Sequence, residues 1–255
     1  MKILGIHEGH TASACLMQDG KIIAAVQEER LSRIKCHVGY PKRAIEEILA
    51  ITNTHASEID LVASSMIEAE FLGDSGDGAA SSEPIHATAK RVAREFKHKQ
   101  NYQRLGFLYS PLRKLVSLRY VSASKSRLDK RRKRIADHLG IDEKKISFVE
   151  HHTGHAFYAL YASPLRQDAL VLTLDGEGDG LCASANVYKN GKLERIATTP
   201  LTASLGLIYA YVTLAMGMRP LEHEYKVMGL APYADVGAVE KTMPVFEKML
   251  AVDGL

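Results

Sequence analysis

The chain has 255 residues, of which 46% are hydrophobic and 25% charged, and its formal net charge is +3. These values are those of an ordinary globular protein with one large or two small domains. Its cysteines, Cys15, Cys36 and Cys182, have no paired spacing, which excludes a disulfide framework and predicts free thiols in a reducing compartment.

No targeting or membrane segment is predicted. The chain begins at once with a strand pattern, without the basic and apolar regions of a signal peptide. The longest apolar run, residues 205–218, is too short to span a bilayer and is interrupted by Gly206 and Gly217. A cytoplasmic protein that does not contact membranes is therefore expected.

The first third of the chain predicts a small β-unit followed by a helix. Strands are predicted at residues 2–6, 12–17, 22–26 and 61–63. Asp19 and Gly20, between the second and third strands, predict a tight hairpin turn, because both residue types tolerate positive φ. A basic loop that contains Lys35 then leads to Pro41, which opens a helix with apolar residues at helical spacing.

A later stretch repeats this order. Strands are predicted at residues 169–174, 181–187 and 193–198, and an Asn-Gly turn joins the last two. The order of strand, polar Gly-bearing loop, strand, Asx-Gly turn and strand therefore occurs twice, which indicates a duplicated β-unit.

A loop with the sequence Asp-Gly-Glu-Gly-Asp-Gly, residues 175–180, is predicted between the first two of these later strands. Its glycines let backbone N–H groups approach phosphate or adenylate oxygens, because no Cβ intervenes. Asp175, at the strand end, is suited to hold a metal ion or a polarised water. The loop lacks the Gly-Lys-Ser/Thr of a P-loop, and a strand follows it, unlike a dinucleotide fingerprint. A loose hairpin loop without a ligand is the alternative.

Three histidines lie where a predicted strand, residues 146–149, gives way to an Ala-rich helical pattern. Two of them, His151 and His155, are four residues apart, so on a helix both imidazoles lie on one face and can bind one ion. Histidine is the commonest metal ligand, and strand ends are where open α/β sheets bind their ligands. Two imidazoles do not complete a site, so a third ligand, a carboxylate, is expected. A pair of surface or core histidines is the alternative.

Two helices and a charged segment are predicted after the second β-unit. Ser204 is a candidate N-cap for an apolar helix that ends at Gly217. Residues 222–233 combine charged side chains, a short apolar run and a glycine, a pattern that suits a helix whose end faces a ligand. A solvated charged turn is the alternative. A last helical stretch is predicted at residues 239–250.

Residues 90–134 form a basic stretch, with sixteen Lys or Arg residues against Glu95 and Asp129. Such a block attracts polyanions, and interleaved aromatic rings could stack on single-stranded nucleic acid. These aromatic residues are Tyr102, Phe107, Tyr109 and Tyr120. No groove-reading motif accompanies the charge, so a solvated helical excursion, whose charges line an active-site mouth or stay in water, is favoured over a nucleic-acid site. Residues 74–82 are predicted to be a flexible loop.

Several segments, in this order along the chain, resemble the N-terminal half of the O-carbamoyltransferases that modify antibiotics and nodulation factors. The segment 224–233, Glu-Tyr-Lys-Val-Met-Gly-Leu-Ala-Pro-Tyr, is a close match to that family. The segment 151–156 has the form His-His-x-x-His-Ala, which is the metal motif of the family. The other matching segments are residues 2–16, 27–35, 172–179 and 204–209.

The resemblance implies an α/β fold of the actin/Hsp70-like (ribonuclease H-like) nucleotide-binding class, with duplicated β-units. The tRNA threonylcarbamoyladenosine transferases share this fold. The expected division is a first β-unit and helix at 1–73, a basic helical insert at 74–145, and the metal and nucleotide-loop part at 146–255, without the second lobe.

The resemblance also implies a two-stage reaction. A separate C-terminal domain converts carbamoyl phosphate and ATP to carbamoyl adenylate, and the metal site transfers the carbamoyl group to a hydroxyl of a small-molecule acceptor. His151 and His155 are the implied ligands of iron(II) or another divalent metal. His10 is the implied general base, since imidazole ordinarily titrates near neutral pH, and Lys35 is the implied contact of the carbamoyl oxygen.

A further set of residues is implied around the adenylate, its ribose or the substrate. They are Asp175, Gly176, Glu177, Gly178, Asp179, Ser204, Gly206, Glu222, Glu224, Lys226 and Gly229. The third metal ligand of the family, an Asp far downstream, and its adenylate-forming domain have no counterpart before Leu255. The chain is therefore expected to be a fragment, or a short relative that uses a second chain, with weak metal binding and little turnover alone.

Two other functions compete with carbamoyl transfer to a small molecule. One is a non-catalytic nucleotide-binding or assembly module, in which the basic stretch docks a partner. The other is a tRNA-directed, threonylcarbamoyl transferase-like protein, in which that stretch holds the phosphate backbone.

Overall fold

The computed structural model describes residues 1–67, 110–164, 167–248 and 250, with only the backbone described for 110–124. The predicted loop 74–82 and the side chains of Tyr102, Phe107, Tyr109 and Tyr120 lie outside these descriptions. The chain divides into two compact units, residues 1–207 and 208–255, and each is described by itself. None of the helices within the described ranges is long and apolar enough to cross a membrane.

The protein is a mixed α/β structure, as the sequence predicted. The first sheet contains β1 (Lys2–His7), β2 (Ser13–Gln18), β3 (Lys21–Gln27), β4 (Leu61–Ser65) and β5 (Ile146–Val149). The second sheet contains β6 (Ala169–Gly178), β7 (Leu181–Lys189) and β8 (Lys192–Pro200). The helices are α1 (Glu28–Ser32), α2 (Lys42–Ile51), α3 (Ser110–Leu139), α4 (His151–Ala162), α5 (Leu205–Ala215), α6 (Glu224–Leu230) and α7 (Val236–Glu247).

The first sheet brings three strand ends together. Its strand order is β3-β2-β1-β4-β5, and β4 runs parallel to both β1 and β5. Ile6 pairs with Ser64, and Ser65 pairs with Val149, so β1, β4 and β5 end at the same edge. His7 ends β1, His10 lies in the turn that follows it, and His151 begins helix α4 just after β5. An edge of this kind is where α/β sheets place their ligands.

The core of the first unit lies between this sheet and two helices. Ile45 and Ile48 of α2, Ile135 of α3 and Leu4 of β1 are completely buried in one cluster. The apolar residues of α2 recur every three or four positions, so that one face of the helix is apolar. Burial of each such side chain contributes about 1.5–3 kcal/mol.

Both predicted β-units form three-stranded antiparallel meanders. Their Asx-Gly turns are present: Asp19 and Gly20 have φ of 50° and 80°, and Asn190 and Gly191 have φ of 51° and 76°. The loop predicted at 175–180 is wrong in extent. Strand β6 continues to Gly178 after a register shift, because pairing with β7 resumes at Leu181, and only Asp179 and Gly180 form the turn.

The second sheet has an unusual distribution of polarity. Its covered face carries the buried side chains of Thr173, Ser184 and Asn186, whereas Leu172 and Leu174 are 57% and 82% exposed. An antiparallel sheet with one covered face ordinarily has the opposite alternation. The polar groups of the covered face therefore require partners, and helix α4 supplies one of them, as described below.

Predictions for the helices after the second sheet are confirmed in part. Ser204 precedes α5, and its Oγ accepts a hydrogen bond from the Leu207 N–H at 3.1 Å, as expected of an N-cap. Gly217 follows the helix with a φ of 74°. Helix α7 begins three residues before the predicted stretch, because Asp235 caps it by accepting from the Ala238 N–H at 3.1 Å.

The basic stretch is not simply a solvated face. Arg131 of α3 is 6% exposed, and its Nε donates to Oε2 of the buried Glu8 at 3.0 Å. Its two terminal nitrogens donate to the carbonyls of Met66 and Ser65 and to the hydroxyl of Ser64, at 2.8–3.2 Å. The prediction of a solvated helix is therefore wrong for Arg131, which ties α3 to the ends of β1 and β4.

The next basic residues of α3 also have partners inside the protein. Arg134 donates to Glu8 Oε2 at 2.6 Å and lies over the Tyr40 ring at 4.8 Å. The guanidinium of Arg132 lies 5.2 Å from the centre of the Phe148 ring. Part of the positive charge of the basic stretch is therefore engaged in contacts within the first unit.

Replacement of Arg131 by Ala is expected to lower the free energy of unfolding by roughly 3–5 kcal/mol, because the buried Glu8 would lose its one buried partner and keep only the exposed Arg134. Urea unfolding measures this loss. Lys133→Ala is the matched control, since Lys133 lies on the same helix and forms an exposed ion pair with Asp137. Equal stability of the two variants would contradict the importance of the Glu8–Arg131 pair.

Candidate metal centre and active site

Glu150 fixes the start of helix α4. It is the N-cap, and its carboxylate accepts hydrogen bonds from the N–H groups of His152 and Thr153 at 3.1 and 2.7 Å. Arg195 of β8 donates to the same carboxylate at 2.5 Å. Partial burial would raise the pKa of Glu150, but these donors outweigh it and lower the pKa to about 2. The Glu150 carboxylate therefore stays ionised. Because it fixes the residue at which α4 begins, it also determines which side chains of α4 face the second sheet.

Three ligand-type atoms converge between α4 and β6. His151 Nε2 lies 2.5 Å from Asp175 Oδ2 and 2.9 Å from His155 Nε2. The distance from His155 Nε2 to Asp175 Oδ2 is 3.5 Å. Within the described ranges, these residues form the one group of three His, Cys, Asp or Glu side chains able to hold a metal ion.

The spacing of these atoms fits a divalent ion. Ligands that bind one ion at about 2.1 Å stand roughly 3–3.4 Å from one another. The three measured distances, 2.5, 2.9 and 3.5 Å, bracket that range. Two imidazoles and a carboxylate also form the donor set of many sites for iron(II) and zinc.

The Asp175 carboxylate lies in contact with both imidazoles, and this contact changes its own pKa and that of His155. Burial would raise the pKa of Asp175, but hydrogen bonds from His151, His155 and the Gly176 N–H hold it well below its usual range. The contact with Asp175 also raises the pKa of His155. An ion at this position would displace protons from the imidazoles, so its affinity should fall as the pH falls.

The sequence predicted a carboxylate as the third ligand and, separately, Asp175 as suited to hold a metal ion or a polarised water, but it did not connect the two. The structure places the Asp175 carboxylate against both histidines, and its implied contact with the adenylate stays a prediction. Asp175 is 24 residues from His151 along the chain, and only the packing of β6 against α4 brings the two together. The signal in the sequence was the position of Asp175 at the end of an apolar strand.

Gly178 makes room for the His151 ring. A Cβ at Gly178 would lie 2.0 Å from Cδ2 of His151. Two carbon atoms cannot approach this closely without a clash, so any side chain at this position would displace the ring. This glycine is therefore required by the imidazole of the centre, and its contact with a phosphate or adenylate stays a prediction.

Asp179 connects the turn after β6 to two strand ends of the first sheet. Its Oδ2 accepts hydrogen bonds from the N–H groups of His151 and Ile67, at 2.7 and 3.0 Å. Ile67 follows β4, and His151 follows β5. The carboxylate therefore fixes the second sheet against the edge at which the first sheet ends.

Ser204 and Gly206 hold the backbone beside Asp175. The Ser204 hydroxyl donates to the Gly176 carbonyl at 2.6 Å. A Cβ at Gly206 would lie 2.8 Å from the Cα of Gly176, so a side chain there would displace the backbone. Both residues have a structural role next to the centre. The contacts of Ser204 and Gly206 with a nucleotide stay predictions. The same holds for Glu177, which lies on β6 two residues after Asp175.

A buried polar network anchors α4 to the second sheet. His152 is fully buried, and its Nδ1 lies 2.8 Å from Thr173 Oγ1. The Thr173 hydroxyl contacts Ser184 Oγ at 2.7 Å, and Asn186 Nδ2 donates to the same Ser184 oxygen at 2.9 Å. Since Thr173 and Asp175 are two residues apart on β6, successive residues of α4, His152 and His151, contact the same side of this strand.

His10 and Lys35 are both exposed. His10 lies in the turn after β1, and Lys35 lies between α1 and α2. The sequence missed His7, the last residue of β1, which is part-buried and contacts Ser65 Oγ at 2.7 Å. Burial lowers the pKa of His7, and the nearby His151 and His155 act in the same direction. Its signal in the sequence was a second histidine in the His10 turn.

The remaining predicted residues belong to the second unit, where the three charged ones have local contacts. Glu222 forms an ion pair with Arg219 at 3.7 Å, and Glu224 Oε1 accepts from the Leu221 N–H at 2.7 Å. Lys226 lies over the ring of its neighbour Tyr225, with its Nζ 5.9 Å from the ring centre. Gly229 lies in α6, and a Cβ at this position would meet no atom within 4 Å.

A family model described as the carbamoyltransferase N-terminus matches residues 2–251. Nodulation protein NolNO of Sinorhizobium fredii is 33% identical over 226 residues, which cover 89% of this chain and 28% of that protein. The uncharacterized protein sll1178 of Synechocystis is 30% identical over 91% of this chain and 35% of its own length. The uncharacterized protein MJ1051 of Methanocaldococcus jannaschii is 27% identical over 91% of this chain and 33% of its own length. The chain thus spans about a third of the length of these relatives.

Replacement of Gly178 by Ala is expected to weaken metal binding by at least about tenfold, because the new Cβ would displace the His151 imidazole. Isothermal titration with zinc(II) measures the affinity. Gly154→Ala is the control: Gly154 lies between the two histidines on α4, and a Cβ there meets nothing within 4 Å. If Gly178→Ala bound zinc as tightly as Gly154→Ala, the proposed position of His151 would be wrong.

Thr173→Val removes the hydroxyl that contacts His152 and leaves the shape of the side chain nearly unchanged. Metal affinity is expected to fall roughly tenfold, because the first turn of α4 loses its anchor beside Asp175. Thr198→Val, at an exposed position of β8, should leave the same titration unchanged. Undiminished affinity in Thr173→Val would mean that the buried network does not position the centre.

Proposed function

Because the chain belongs to the family described as the carbamoyltransferase N-terminus, we propose that it carries the acyl-transfer site of an O-carbamoyltransferase. In this reaction the carbamoyl group of carbamoyl adenylate passes to a hydroxyl of a small-molecule acceptor. The resemblance of residues 224–233 to the O-carbamoyltransferases that modify antibiotics and nodulation factors favours a small acceptor molecule. Family membership alone supports the broader assignment, a transferase of carbamoyl groups.

The convergence of His151, His155 and Asp175 is the observation that carries this proposal. The three ligand atoms lie within 3.5 Å of one another, at the edge where β1, β4 and β5 end. We propose that they hold iron(II) or another divalent ion. When bound, such an ion would supply Lewis-acid polarisation of a carbonyl oxygen.

The residues of the chain would divide the remaining chemistry. His10, as general base, would take the proton of the acceptor hydroxyl while the hydroxyl oxygen attacks the carbamoyl carbon. Lys35 would stabilise the negative charge that develops on the carbonyl oxygen. The bond between the carbamoyl carbon and the phosphate oxygen then breaks, and AMP leaves with the negative charge. Asp175 would bind the same ion as His151 and His155 and would offset part of its positive charge.

The source of the adenylate is proposed to lie outside the matched region. Relatives carry about two thirds of their length beyond the part that this chain matches, which gives room for an adenylate-forming domain. That domain, or a second chain, would make carbamoyl adenylate, diphosphate and inorganic phosphate from carbamoyl phosphate, ATP and water. The two three-stranded meanders support an actin-like fold, in which Glu222, Glu224, Lys226 and Gly229 would contact the adenylate or the acceptor.

An RNA acceptor is less well supported than a small molecule. The densest part of the basic stretch, residues 130–134, includes Arg131 and Arg134, which are paired with Glu8, and Arg132, which stacks on Phe148. Phosphate groups would have to compete with these contacts. We therefore propose that this part of α3 serves the first unit and not a nucleic acid.

The proposal predicts that metal content and carbamoyl transfer are lost together. In His151→Ala and Asp175→Asn, elemental analysis should show less than one tenth of the wild-type metal, and transfer from synthetic carbamoyl adenylate to a hydroxylated acceptor should fall at least about 100-fold. His55→Ala is the control, because His55 lies at the opposite end of β4 from the centre. Transfer at the wild-type rate by a metal-free His151→Ala protein would refute the proposed function.

A further inference from the structure

His7 connects two strand ends beside the candidate centre. It is the last residue of β1 and lies next to Ser65, the last residue of β4, because the two strands are parallel and Ile6 pairs with Ser64. Its Nδ1 lies 2.7 Å from Ser65 Oγ, and its Nε2 lies 3.1 Å from the carbonyl oxygen of His10.

These two contacts define the protonation of the ring. A carbonyl oxygen can only accept, so His7 Nε2 must carry the hydrogen that bonds to it. In the neutral ring Nδ1 is then an acceptor, and the Ser65 hydroxyl donates to it. A directed chain of hydrogen bonds therefore runs from Ser65 through His7 to the backbone of His10.

The turn that carries His10 is restrained from other sides as well. The Thr11 hydroxyl donates to the same His10 carbonyl at 2.5 Å, and Thr11 has a φ of 60°. A Cβ at Gly9 would lie 2.8 Å from Met66 Sδ and 2.9 Å from the His7 ring, so the turn packs directly on both. On the other side, Glu8 is held by Arg131, as described above.

We propose that His7 is a positioning residue: the hydrogen bonds from Ser65 through His7 to the His10 carbonyl hold the His10 turn in one conformation at the edge where the metal ligands meet. The consequence for catalysis rests on the proposed function, in which His10 is the general base. The claim that His7 holds the turn in one conformation does not depend on the proposed function. With both ring nitrogens occupied, His7 orients the base and does not replace it.

Hydrogen exchange tests the conformational part of this proposal without any assay of activity. In His7→Ala, the peptide that contains residues 8–12 should exchange at least about tenfold faster than in the wild type, because local opening becomes easier. His7→Gln should restore most of the protection, because its side-chain amide can donate to the His10 carbonyl. His55→Ala, which removes a similar 2.7 Å contact with Ser57 Oγ at the other end of β4, should leave this peptide unchanged.

Transfer kinetics test the catalytic part, on the protein loaded with metal. We expect kcat to fall roughly 10- to 100-fold in His7→Ala, with the KM of the acceptor and the metal content unchanged, and to recover partly in His7→Gln. A general base acts in its deprotonated form, so kcat/KM of the wild-type protein should rise with pH. This rise should persist in His7→Ala and disappear in His10→Ala, because His10 is the proposed base.

Three results would overturn the proposal: unchanged exchange of the turn in His7→Ala, loss of metal from that variant, or loss of its pH-dependent rise. The second would make His7 a ligand, and the third would make it the base. If the wild-type protein transfers no carbamoyl group, the proposed function fails, and the exchange experiment still decides whether His7 orders the turn.

Discussion

The hydrogen bond between Asp175 and His151 is the interaction on which the candidate centre depends. It joins the second sheet to α4, whose first residue follows directly from the first sheet. Two neighbouring contacts support it: Thr173 binds His152, and Asp179 accepts from the His151 N–H at 2.7 Å. Each of these contacts crosses from the β6 strand or its turn to α4. Together they hold a carboxylate against two imidazoles, an arrangement that a bound cation would stabilise further.

Local pattern was sufficient to predict much of the fold. The strands of both meanders, their Asx-Gly turns, the Ser204 cap and the helical spacing of His151 and His155 all depend on residues close together in sequence. Long-range partners could not be predicted this way. Asp175 meets His151 across 24 residues, and Arg131 meets Glu8 across 123, and periodicity carries no information about either pairing. The family resemblance implied His151 and His155 as metal ligands and placed Asp175 beside the nucleotide, whereas the strand-end position of Asp175 favoured a metal ion or a polarised water.

The basic run of α3 shows why net charge alone did not predict a partner. Arg131 forms an ion pair with Glu8 Oε2 and donates to the carbonyls that follow β4, so its charge is balanced inside the protein. The same pair restrains the turn that His10 occupies, since Glu8 lies two residues before it. A residue that composition assigned to a solvated face thus contributes to the geometry of the candidate active site.

X-ray absorption spectroscopy of the iron(II)-loaded protein tests the central claim most directly. The account predicts nitrogen and oxygen ligands at about 2.0–2.2 Å, with the outer-shell scattering of two imidazole rings. The imidazole signal should halve in His155→Ala. A spectrum without imidazole scattering, or one that is the same in wild type and His155→Ala, would contradict a metal centre built from His151, His155 and Asp175.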